Sequence, residues 1–183
     1  MKLTATPLPD AFVIELEKRE DDRGFFARTF CVEELKVYGI QMDILQSNIG
    51  FNYQKGTVRG FHYQVAPAIE RKLVRCTRGA IYDVIVDLRP NSPTYRQHIG
   101  VELTADNYRM LYVPDRFAHG YQTLTDNTEV FYQVSSLYNP ACERGFKYDD
   151  PAFDIRWPLP VSKISEKDVS WVPFTAIAPA LEP

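Results

Sequence analysis

The sequence predicts an all-β sandwich or barrel, and three observations lead there. Short runs with period-two alternation of apolar and polar residues recur at even spacing through the middle of the chain. The turn sequences TADN, PDRF and TDN separate the later runs. Only one convincing helix is visible in the first half, so βαβ units are not favoured.

The elements follow in order. Phe12 to Lys18 (FVIELEK) alternates like a strand, and Glu20 to Gly24 (EDDRG) is a charged turn. Phe25 to Phe30 returns to apolar residues around Arg28. Val32 to Tyr38 reads as the helix, with Gly39 placed to end it. Met42 to Asn48 is strand-like and ends in Gln46 and Asn48; Gly50 to Gly56 reads as a loop. Thr57 to Gln64 (TVRGFHYQ) is the strand that matters most. Strict alternation puts Thr57, Arg59, Phe61 and Tyr63 on one face and Val58, Gly60, His62 and Gln64 on the other. For Arg59 and His62 to share a pocket the strand must bulge between them, and Gly60 is where a bulge costs least.

Val65 to Ile69 contains a proline and reads as a loop. In Arg71 to Cys76, Lys72, Val74 and Cys76 share the drier face, so Lys72 points inward unless it snorkels out along the sheet edge. An inward lysine needs an anionic partner or a task. Ala80 to Leu88 is the most strand-like run. Strands are expected at His98 to Leu103, Met110 to Val113, His119 to Leu124 and Glu129 to Val134. From Pro140 on the chain reads as irregular, Ser165 to Asp168 has the S-x-x-D form of a helix start, and the apolar tail beyond Pro173 is expected to be an arm.

The length suits a single domain over residues 1–183, and no repeat is visible. A net charge of −3 with no basic block argues against nucleic acid or an anionic membrane as the main partner. No signal peptide or transmembrane run is evident, and Cys31, Cys76 and Cys142 are odd in number and widely spaced, which fits reduced thiols in the cytoplasm.

Three chemistries can be weighed. A metal site would need three or four convergent ligands, whereas His62 and His119 stand on separate strands with an inward lysine beside them, so none is expected. No G-x-S-x-G is present, and no cysteine has an obvious partner. Proton transfer fits the inventory: His62 as base, Lys72 at a developing oxyanion, and Tyr132 facing inward between Val130 and Val134, where it is either an acid or a core tyrosine.

The segments RGFHYQ, RKLVRCTRGAIYDVIVDLR, VPDRFAHGYQTL, ERGFKYDDP and ISEKD, in this order, resemble the dTDP-4-dehydrorhamnose 3,5-epimerase family over nearly the whole chain. The resemblance implies a cupin-type jelly roll that needs no cofactor, works as a homodimer and takes a nucleoside-diphosphate 4-keto-6-deoxyhexose. It makes His62 the base, Asp168 its partner, Tyr132 the proton donor and Lys72 the group at the enolate oxygen. It makes Arg23, Arg59, Gln46, Asn48, His119 and Glu143 substrate contacts and Tyr138 the ring that stacks on the nucleobase. Without the resemblance, Asp168 would read as a capping acid for Ser165. Two departures stand out. Arg28 replaces a glutamate of the family, which leaves a CDP- or GDP-linked substrate open beside dTDP, and Leu137 replaces a tyrosine beside Tyr138. Epimerisation at one carbon only, a silent sugar-nucleotide-binding jelly roll and a metal-dependent oxygenase are the alternatives.

Overall fold

The structure is a computed structural model and describes residues 1–174. Strands β1 (Lys2–Ala5), β2 (Phe12–Glu15), β3 (Arg19–Asp21) and β4 (Gly24–Phe26) precede helix α1 (Val32–Lys36). Then come β5 (Gln46–Asn52), β6 (Val58–Gln64), β7 (Lys72–Arg78), β8 (Ala80–Asp87), β9 (His98–Thr104), β10 (Met110–Val113), β11 (Phe117–Thr123) and β12 (Thr128–Val134). β13 (Glu143–Gly145) and helix α2 (Glu166–Ser170) follow. The tail expected to form an arm lies, from residue 175 on, outside the described residues.

One antiparallel sheet has the order β1-β2-β10-β7-β12-β5 and the other β13-β6-β11-β8-β9, while β3 and β4 pair as a separate hairpin. From β9 to β12 each strand lies in the sheet opposite its predecessor, which is the crossing pattern of the expected cupin-type jelly roll. Val74, Ile81, Ile85, Leu103, Leu111 and Val130 fill the space between the sheets. The outer faces are also covered in part. Leu35, Ile40 and Met42 lie over Leu73 and Met110, and Phe146, Phe153 and Phe174 lie over Phe61, Val84 and Val86. β8 is therefore buried on both faces, which is why its sequence is almost continuously apolar.

Four parts of the chain differ from the sequence reading. β2 stops at Glu15, and Arg19–Asp21, partly read as a turn, is a strand paired with β4. Residues Met42 to Leu45 are not strand; Met42 is instead buried beside α1, and β5 runs on through Gly50 to Asn52, which had read as loop. Pairing with β12, from Thr128↔Asn52 to Val134↔Gln46, imposes that register. β1 and the three-residue β13 carry too little pattern to be seen. α1 ends sooner than expected, at Lys36, and Gly39 follows with φ +76, the left-handed conformation that closes a helix.

Candidate active site

A bulge in β6 organises the site. His119 pairs with His62 and Tyr121 with Arg59, so Gly60 and Phe61 together oppose Gly120. Gly60 has φ +114, and a Cβ there would lie 2.6 Å from Gly120 Cα, so no other residue fits. The extra residue breaks strict alternation. Phe61 and Tyr63 turn to the outer aromatic layer, while Arg59, His62 and Gln64 face the space between the sheets.

The cavity there has a volume of about 330 Å³ and is lined by Gln46, Asn48, His62, Lys72, Tyr132, Tyr138 and Glu143, with Gln64 and Glu70 among the remaining residues. His62 comes from one sheet; Lys72 and Tyr132 come from the other. His62 Nε2 lies 2.6 Å from Asp168 Oδ1, and the bulge amide of Gly60 donates to Asp168 Oδ2 at 3.4 Å. The Asp168 N–H donates to Ser165 Oγ at 3.0 Å, so the helix cap uses the backbone and leaves the carboxylate for His62. Asp168 is only 3% exposed. Burial pushes its carboxyl up, but the hydrogen bond and charge of His62 outweigh this and hold it below its ordinary value.

Lys72 points inward, as expected, and is 8% exposed. Its ammonium bonds Glu70, whose other oxygen accepts from Gln64 Nε2 at 3.2 Å. Tyr132 is partly buried against the core, and its hydroxyl makes no hydrogen bond among the described residues. Burial and the nearby Glu70 carboxylate raise its pKa, against a smaller opposing effect of Arg59. Arg59 is held by Asn52 at 2.7 Å, and His119 by the fully buried Asp83 at 2.7 Å. At the rim Tyr138 Oη and Lys167 Nζ both bond Glu143, at 2.8 and 2.6 Å. These bonds hold the Glu143 carboxyl below its ordinary value although burial opposes them.

Four residues expected to touch substrate do not line this cavity within the chain: Arg59 and His119, bound to Asn52 and Asp83 close to it, and Arg23 and Arg28, which are held elsewhere. Arg23 pairs with Asp21 at 2.5 Å on the β3–β4 hairpin, and Arg28 pairs with Glu34 at 2.6 Å. Glu70, Asp83 and Asn52 were missed by sequence reasoning. The first two had a signal: Glu70 stands two residues before the inward Lys72, and Asp83 is a carboxylate inside the most strand-like run. Asn52 had none, since its strand read as loop. Among the described residues no three His, Cys, Asp or Glu side chains are grouped to hold a metal ion. A larger cleft of about 730 Å³ lies beside α1, but its Arg71 and Arg89 are already bound to Asp115 and to Asp87 and Asp10, and no histidine lines it.

Known proteins share this arrangement of strands. A chain from Bacillus anthracis described as dTDP-4-dehydrorhamnose 3,5-epimerase with TDP and PPi bound is 39% identical, with a TM-score of 0.90 over 94% of this chain and 98% of that one. One from Legionella pneumophila, described as a dTDP-6-deoxy-D-glucose-3,5-epimerase in complex with dTDP-4-keto-L-rhamnose, is 34% identical, with a TM-score of 0.91 over 100% and 97%. The dTDP-4-dehydrorhamnose 3,5-epimerase of Shigella flexneri is 37% identical over 95% of this chain and 96% of its own. The family model of dTDP-4-dehydrorhamnose 3,5-epimerase matches residues 5–176. With the jelly roll, its inward His62 and Lys72 and this likeness over nearly its full length, the chain belongs to the dTDP-4-dehydrorhamnose 3,5-epimerase family.

Proposed function

We propose that this chain is an epimerase acting at C3 and C5 of a dTDP-linked 4-keto-6-deoxyhexose, in deoxysugar biosynthesis, within a single jelly-roll domain. One observation carries the mechanism: a histidine–carboxylate pair and a tyrosine hydroxyl come from opposite sheets onto one cavity, with a lysine ammonium beside them. A sugar ring between the sheets would present one face to each.

The chemistry follows from the ketone at C4, which acidifies the C–H bonds on both neighbouring carbons. His62 removes a proton with the ring nitrogen that Asp168 leaves free, and the Asp168 carboxylate stabilises the imidazolium that forms. Charge then develops on the C4 oxygen, where the Lys72 ammonium can meet it by turning from Glu70. Tyr132 returns a proton from the opposite face and inverts the carbon. Gln46, Asn48 and Glu143, which line the cavity, bind the nucleotide-linked end, and Tyr138, exposed at the rim, stacks on the base. Arg59 and His119 stand on β6 and β11 beside His62 but outside that lining, and the resemblance alone gives them the sugar. The relatives act on dTDP-sugars by name, and this favours thymine as the base despite Arg28. Conversion of dTDP-4-keto-6-deoxyglucose, followed by proton NMR, tests the reading. The reducing cytoplasm suits the three free cysteines.

Arg23 and Arg28 enter through assembly. The β3–β4 hairpin is exposed throughout and carries Phe26 at 69% exposure. Such an apolar projection fits a homodimer in which the hairpin packs on the partner and brings Arg23, with Arg28 two residues past the hairpin, near the partner's cavity. Light scattering at micromolar concentration should therefore give about twice the 21.1 kDa chain mass. A monomer would contradict the homodimer and leave Arg23 and Arg28 without a role.

A further inference from the structure

Helix α2 brings more than Asp168 to the site. Trp171, the residue that ends it, sets its indole against the His62 ring in an edge-to-face arrangement, with centroids 6.4 Å apart and planes at 62°. The same indole lies over Gly145, which is the register partner of His62 in the β13–β6 ladder. A Cβ at Gly145 would fall 2.4 Å from Trp171 Cε2 and 2.4 Å from the Phe61 carbonyl oxygen, so the indole fits only because this position has no side chain. Lys167 lies 5.9 Å over the indole while bonded to Glu143. The indole N–H is buried and has no acceptor among the described residues. A buried tryptophan normally finds one. This residue is held for its ring, not for its hydrogen bond.

We infer that Trp171 is a positioning residue for His62, an inference that rests on His62 being the base. The bond to Asp168 fixes one end of the imidazole and leaves the ring free to turn about that axis. The indole beside it removes that freedom. α2 is only five residues long and cannot hold itself in place. The packing of Trp171 on Gly145 anchors it, so the indole also fixes where Asp168 stands. Trp171 touches the His62 ring from outside the cavity lining, and its role is therefore read through His62.

Trp171→Ala, Trp171→Leu and Trp171→Phe test this. Trp171→Ala should lower kcat by roughly 10- to 100-fold, the scale of a misplaced catalytic group, with KM almost unchanged. Trp171→Phe, which keeps an aromatic edge and deletes the unpaired N–H, should restore most of kcat. If Trp171→Ala does not fold, Trp171→Leu, with bulk but no flat ring, takes its place against Trp171→Phe. Combined with Asp168→Asn, the loss from Trp171→Ala should be much less than additive, because both act on one ring. Wild-type kcat in Trp171→Ala, equal kcat in the leucine and phenylalanine variants, or a loss confined to KM would overturn the inference. If the wild-type protein itself converts no 4-keto sugar, the epimerase reading fails. If it does, His62→Ala is inert and Trp171→Ala is unimpaired, then this inference alone fails.

Discussion

Replacing His62 by alanine should slow solvent deuterium incorporation into the sugar by ~10²–10⁴-fold, the usual cost of losing a general base. The fold should survive, because the His62 side chain is about one-third exposed at the cavity and belongs to no apolar cluster. No other histidine can take over. His119 is bound to the buried Asp83, and His98 stands at the start of β9, on the far edge of the sheet. Exchange at the wild-type rate in His62→Ala, with an unchanged circular dichroism spectrum, would remove His62 from the mechanism.

Tyr132→Phe separates proton removal from proton return. Only one hydroxyl is lost, and among the described residues it bonds nothing, so thermal stability should hardly change. Inverted product should fall by ~10²–10⁴-fold, while His62 still removes a proton and exchanges it on its own face. Deuterium without inversion is the signature to look for. Unchanged yield of inverted sugar would make Tyr132 a core tyrosine and nothing more. Its pH dependence has a definite sign. Burial, then Glu70, raise the phenol's pKa, so the proton-bearing form persists to higher pH than in a free tyrosine, and ionisation of this group should cost activity only on the alkaline side.

Much of this was legible in the sequence, and the limits have physical causes. The period that put Lys72 with Val74 and Cys76 places its ammonium inside, and the need for an anionic partner is met by Glu70, two residues earlier, just before β7 begins. The demand that Arg59 and His62 share a side is met by a bulge at Gly60. Asp168 was reached by resemblance, because nothing local links residues 106 positions apart. β5 was misread because Gly50 and Asn52 have weak strand preference, and only pairing with β12 imposes their register. Arg23 and Arg28 were named by resemblance, and within the single chain they stay away from the cavity, paired with Asp21 and Glu34.

Incubating the protein with dTDP-4-keto-6-deoxyglucose in D2O, and locating the label by NMR, tests proton transfer through an enolate most directly. Deuterium at both C3 and C5, appearing together with the inverted sugar and absent from the His62→Ala reaction, is the expected result. Sugar recovered with hydrogen still at C3 and C5 would contradict it.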